Sequence, residues 1–256
     1  MVSTEAARTT VGILGNISAF ILFASPLPTF VRIWKKGSVE QYSAAPYLAA
    51  IVNCGFWVMY GLPMVHPHSM LVATINGTGM VMELCYLLLF VCYSDGKKRL
   101  RVVLVLVAEA VAMGCFLAVV LSSLHTTKQR STIVGSMAVV GSVLMYAAPL
   151  SIMKLVISTR SVEYLPLSIS LASFVNGICW TSYALIGTFD PFVMAPNGLG
   201  AVFALAQIIL YAVYYKSTKK QLMDQQSKSE MGLAQMTLSG GSEKMTKAHV
   251  SHLDRN

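Results

Sequence analysis

The chain repeats a pattern of polar and aromatic side chains. Asn53, Trp57 and Tyr60 stand at i, i+4 and i+7, and Asn176, Trp180 and Tyr183 repeat that spacing. On a helix such a spacing makes one stripe. Asn76-Gly77-Thr78-Gly79 recurs as Asn197-Gly198-Leu199-Gly200 and adds a second pair of amides. An amide both donates and accepts hydrogen bonds, and an indole offers a flat apolar face. A ligand with polar edges and C–H faces, such as a sugar, matches that combination. Each residue type also has a plainer use. Asn often joins membrane helices to one another, and Trp and Tyr collect in the interfacial belt. Duplication favours the binding reading, because repeat-related side chains can meet across a shared axis. Tyr60, Tyr183 and Asp190 are expected at one end of the molecule, where hydroxyl-to-carboxylate bonds would close a gate.

Other chemistry finds little support. The sequence holds no nucleophile–base pair, phosphate loop or metal-ligand cluster, so neither an enzyme nor a cofactor is expected. His66-Pro67-His68 reads as a loop. The five cysteines lie inside apolar runs without redox or metal spacing and read as packed thiols. Glu83 and Glu109 are the two carboxylates well inside apolar stretches. Such acids are functional candidates by default, although pairing with a neighbouring helix is the simpler use.

The elements that must position these residues follow from composition. Hydrophobic residues make up 55% of the chain and charged residues 12%. A soluble domain carries about 25% charged residues, so this chain has too little polar surface for water. Seven apolar stretches, near 10–31, 44–63, 69–93, 102–123, 132–157, 165–186 and 191–215, approach or exceed the ~20 residues of a bilayer span. Lipid satisfies no backbone hydrogen bonds, so each stretch must be helical. The net charge of +8 does not indicate nucleic acid, because the basic residues fall in short clusters between spans. Arg32, Lys35, Lys36, Lys97, Lys98, Arg99, Arg101, Lys154, Arg160, Lys216, Lys219 and Lys220 collect at one side, which predicts a cytoplasmic face there, an outside N-terminus and an inside C-terminus. Residues 217–256, polar and without periodicity, read as a disordered cytoplasmic tail.

The repeat extends beyond the site. Ser25-Pro26-Leu27 matches Ala148-Pro149-Leu150, and Ser38-Val39-Glu40 matches Ser161-Val162-Glu163, in the same order as the other motifs. Three spans that start outside end inside, so a second copy in the same orientation needs one extra crossing. The stretch 102–123 matches neither half and supplies it. The expected fold is an all-α membrane protein with seven transmembrane helices, as two parallel three-helix bundles joined by a linker helix. The boundaries are 1–95, 96–126 and 127–216, with the tail after them.

These motifs, with Ala148-Pro149-Leu150-Ser151-Ile152-Met153, Thr159-Arg160-Ser161-Val162-Glu163-Tyr164 and Ala195-Pro196-Asn197-Gly198, resemble the plant members of the SWEET family of sugar facilitators, which are themselves a standard example of parallel repeats. The resemblance covers about residues 10–216. It implies that Asn76 and Asn197 contact a sugar, that Trp57 and Trp180 brace its ring, and that Asn53 and Asn176 line the cavity. Ala19, Leu22, Ser142 and Met145 then fall where family members set pocket size. The bulk of Leu22 and Met145 favours a monosaccharide such as glucose. Pro26, Pro46, Pro149 and Pro166 resemble the family's proline tetrad, expected to break backbone hydrogen bonds and let the inner ends bend. The resemblance further implies bidirectional uniport by alternating access, most simply at the plasma membrane with the vacuolar membrane as the alternative, and self-association with like proteins. A proton-linked carrier of another solute, such as an amino acid, is the rival reading, with Glu83 as its one titratable candidate. A seven-helix receptor shares the topology but has no reason for the repeat.

Overall fold

The computed structural model describes residues 3–253. Among them the regular structure is entirely helical: α1 (Thr4–Ala24), α2 (Leu27–Lys36), α3 (Ala45–Tyr60), α4 (Met70–Tyr93), α5 (Gly96–Ser123), α6 (Thr127–Met145), α7 (Ala147–Thr159), α8 (Leu167–Leu185) and α9 (Pro191–Leu253). Two of the seven expected spans are broken helices, α1 with α2 and α6 with α7. The breaks have a local cause. Proline has no N–H and its ring clashes with the carbonyl four residues back. Pro26 caps α2, and the Ser25 N–H turns back to Leu22 O at 3.1 Å, a tightened final turn of α1. Pro149 is the third residue of α7, and the Tyr146 N–H turns back to Val143 O at 3.1 Å.

Five segments are long and apolar enough to cross a membrane by length and composition: 4–36, 70–93, 96–123, 127–159 and 191–228. Helix α3 is shorter at 16 residues, about 24 Å at 1.5 Å per residue. Helices α1/α2, α3 and α4 form one bundle, with α4 against both of the others; α6/α7, α8 and α9 form the second, with α9 in the corresponding place. The bundles meet where α1 packs on α8 and α3 packs on α6, which closes a ring of six helices. Helix α5 leans on α3, α4 and α6 from outside. Only 6% of its apolar window is buried, so its Val, Leu and Ala faces are left to lipid.

Three details differ from expectation. Pro46 lies in the first turn of α3 and Pro166 caps α8, so neither interrupts a helix; each starts one, where a missing N–H costs nothing. Residues 217–253, expected to be disordered, continue α9 to Leu253. Lys, Gln, Met and Leu are good helix formers, and a preformed helix end removes the cost of nucleation. Of the five free cysteines only Cys54 is buried, while Cys85, Cys92 and Cys115 are exposed on outward faces.

Candidate functional site

The two repeats place their stripes on one chamber. A cavity of about 240 Å³ is lined by Asn53, Asn76, Asn176, Asn197, Trp57, Trp180, Ala19, Leu22 and Ser142, with Phe23, Val72, Ile75, Tyr146, Val193 and Pro196 completing the wall. A smaller chamber of about 170 Å³ shares Leu22, Tyr146, Asn176 and Asn197 and runs past Pro149 to Gln207. The volume lies below the roughly 300–1,000 Å³ of drug-sized pockets, which suits a small polar ligand.

Local folding explains how each side chain is aimed. Asn76 and Asn197 turn back on their own helices: the amide Nδ2 donates to Val72 O at 2.9 Å and to Val193 O at 2.8 Å. Each carbonyl Oδ1, with one remaining N–H, is thereby left for the chamber. Trp57 and Trp180 are 6% and 5% exposed, too buried for an interfacial belt. Trp57 donates from Nε1 to Ser142 Oγ at 2.9 Å, and Ser142 Oγ donates to Asn53 Oδ1 at 3.1 Å. Trp180 rests against Gly15, where a Cβ would stand 3.0 Å from its ring nitrogen. Asn176 Oδ1 faces Ser18 Oγ at 3.2 Å.

One expected wall residue is elsewhere. Met145 is 37% exposed and absent from the lining. The resemblance places Met145, four residues before Pro149, on the wall, but α6 ends at Met145 and the turn that follows presents Tyr146 instead. Tyr146 donates to Pro196 O at 2.5 Å and so holds α6/α7 to α9 at the chamber's edge.

The end of the ring at Tyr60 is closed. Tyr60 is fully buried and its hydroxyl donates to Asp190 Oδ1 at 2.9 Å; the Phe192 and Val193 N–H groups donate to the same oxygen, both at 3.1 Å. Asp190 is thus an N-terminal cap of α9 that also ties α3 to it. Tyr183 does not join this carboxylate. Its hydroxyl donates to His68 O at 3.3 Å and its ring lies under Arg8, 4.1 Å from the guanidinium carbon. The repeat partner of Asp190 in the first half is Ser69, which offers no charge.

His66, read from sequence as ordinary loop, belongs to this closure. Its ring stacks on Tyr60 at 4.6 Å, Nδ1 lies 3.0 Å from Ser131 Oγ, and Nε2 lies 3.5 Å from Asp190 Oδ2. Burial pushes its pKa below the ordinary histidine value, against the attraction of the Asp190 carboxylate. The small residues under the closure were also unread. A Cβ at Gly12 would stand 2.9 Å from the Tyr183 ring, and one at Gly135 would stand 2.9 Å from the Tyr60 ring. The available signal was their matching place in the two repeats. Glu83 is 5% exposed and off the chamber wall; its Oε2 has no hydrogen-bond partner among the described residues. No group of three metal-ligating side chains occurs among the described residues.

Comparison with known proteins agrees with this fold. The sequence model of the family described as "Sugar efflux transporter for intercellular exchange" matches residues 9–98 and 132–219, two segments that bracket most of α5. The bidirectional sugar transporter SWEET4 of Oryza sativa subsp. japonica is 58% identical over 237 residues, covering 93% of this chain and 91% of that protein. The bidirectional sugar transporter SWEET7 of Arabidopsis thaliana is 49% identical over 239 residues, covering 93% and 92%. A solved structure of a eukaryotic SWEET transporter superposes with a TM-score of 0.80 at 34% identity, covering 83% of this chain and 99% of that one.

Proposed function

This chain belongs to the SWEET family of sugar efflux transporters for intercellular exchange, and from that premise we propose that it carries a glucose-like monosaccharide in both directions by alternating access. The family is one of transporters, not enzymes. The observation that supports the reading most directly is the single chamber with four asparagines and two tryptophans drawn equally from both repeats. In this reading Asn76 and Asn197 bond sugar hydroxyls, Trp57 and Trp180 brace the apolar ring faces, and Asn53 and Asn176 add amide contacts. Leu22 and Tyr146 narrow the space and favour a monosaccharide; Tyr146 takes the part expected of Met145.

The closed Tyr60–Asp190 end and the chamber running toward Pro149 correspond to a carrier facing the basic side. That side is the cytoplasm by its charge, so the N-terminus lies outside. The two bundles, residues 1–95 and 127–216, rock about the chamber. Pro26 and Pro149 sit at the breaks that let α2 and α7 swing, while Pro46 and Pro166 define where α3 and α8 begin. Tyr60 and Asp190 part when the outer side opens. The plasma membrane is the proposed location.

The test is uptake of labelled glucose and of labelled sucrose by cells that lack their own sugar carriers. Glucose uptake should exceed sucrose uptake, and Asn76→Ala or Asn197→Ala should lower it to background while surface expression persists. Normal uptake in both variants would end the assignment of these amides.

A further inference from the structure

The two halves of the chamber are not equivalent, and the difference lies in one hydroxyl. Trp57 Nε1–H is a donor only, and it donates to Ser142 Oγ at 2.9 Å. The serine hydroxyl has a single proton, and Asn53 Oδ1 lies 3.1 Å away to receive it. The chain therefore runs in one direction, from indole to hydroxyl to amide carbonyl. With its carbonyl turned to Ser142, the Asn53 amide is held in one sense: its NH₂ is left for the chamber, while one lone pair of Oδ1 is already taken. Gly141 keeps that arrangement open, since a Cβ there would stand 3.0 Å from Asn53 Oδ1.

In the other half Ala19 occupies the repeat position of Ser142. Trp180 Nε1–H has no hydrogen-bond partner among the described residues and stays free as a donor at the wall. Asn176 meets Ser18 instead, but that hydroxyl already has Gly15 O at 2.9 Å, nearer than Asn176 Oδ1 at 3.2 Å. One proton serves two acceptors, so the Asn176 amide is not held in one sense.

We propose that Ser142 is a positioning residue which fixes the sense of the Asn53 amide, its NH₂ left toward the chamber, and so makes one pole of the sugar site favour an acceptor on the ligand. The inference rests on the sugar reading above. At that pole a hydroxyl binds best by accepting, and fluorine, which accepts but does not donate, can replace it. An ammonium group, which donates and does not accept, replaces it less well. Asn76 and Asn197, which keep Oδ1 and one N–H each, impose no such preference.

The experiment uses the full-length protein in proteoliposomes, with competition against labelled glucose by fluoro-deoxy and amino-deoxy glucoses substituted at each ring carbon in turn. In the wild type, at one ring carbon the fluoro sugar competes better than the amino sugar. Ser142→Ala should reduce that ratio about fivefold, the scale of one hydrogen bond, because the freed Asn53 amide can turn and accept. Ser142→Thr, which keeps the hydroxyl, should restore it, and Asn53→Asp should invert it. A ratio unchanged in Ser142→Ala, or an equal fall in the Ala and Thr variants, would overturn the inference in favour of a packing role. A wild-type protein that binds no glucose at all would overturn the sugar reading itself, and this inference with it.

Discussion

Tyr60 carries the closure at its end of the ring, the outer end in the proposed orientation, and its role can be separated from its bulk. The residue is fully buried and gives one hydrogen bond to Asp190. Tyr60→Phe keeps the ring on His66 and Gly135 but removes that bond. Asp190 Oδ1 retains its two backbone donors, so the loss should be about 1–2 kcal/mol rather than the larger cost of an orphaned charge. The expected result is a carrier whose outer side opens more readily, seen as faster labelling by an impermeant thiol reagent of a cysteine placed at Ala19. His66 gives the same closure a pH dependence. Its ring faces Asp190, Tyr60 and Ser131, with Arg8 and His68 nearby. Burial lowers its pKa in the closed arrangement, so the closed gate binds a proton less well than the solvated ring does. Closure is then fully stable above the ordinary value of about 6.5 and weakens as pH falls through the lowered one. Thiol labelling should therefore speed up on acidification, and His66→Gln should flatten that profile. A profile that slows with acid would mean that pairing with Asp190 outweighs burial.

At the scale of elements, close helix approach is what holds the amides in place. A Cβ on Gly177 of α8 would meet Ala201 N at 2.8 Å and Asn197 O at 2.9 Å, both backbone atoms of α9 that cannot give way. Gly55 of α3 looks more crowded, with a Cβ 1.9 Å from Met113 Cε, but that atom ends a flexible side chain of α5. Gly177→Ala should cost about 1–3 kcal/mol by overpacking and displace Asn197, lowering both melting temperature and uptake. Gly55→Ala should be near neutral, because Met113 can move and alanine gains up to ~1 kcal/mol of helix propensity. Melting of the two purified variants, with uptake beside it, checks the pair. The helices themselves were legible: hydropathy and the bilayer length located all seven spans to within a few residues at most ends. The roles of the prolines were less so. Pro26 and Pro149 stand at real breaks, whereas Pro46 and Pro166 stand at helix starts, and a count of residues cannot distinguish the two without the helix boundary.

For the whole molecule, a chamber wall without carboxylate or imidazole predicts, on the proposed reading, transport without a fuel. Glu83 is buried but off the lining, so the proposed sugar path meets no carboxylate there. Sugar should reach equal concentrations on the two sides of a proteoliposome whether or not a pH gradient is imposed, and Glu83→Gln should not change that end point. The His66 gate would alter the rate of approach and leave the end point alone. Accumulation driven by the gradient would instead favour the proton-linked reading. The sequence by itself determined the seven spans, the duplication, and the six repeat-related amides and indoles of the site, because hydropathy, helical period and repeated order are properties of the chain read along its length. Only the tertiary structure decided that Tyr146 and not Met145 faces the chamber, that Asp190 bonds Tyr60 and not Tyr183, that His66 joins the closure, and that Ser142 links Trp57 to Asn53. Each of these depends on the direction of a side chain across a helix–helix contact, and that direction is set by breaks and packing between segments far apart in the chain.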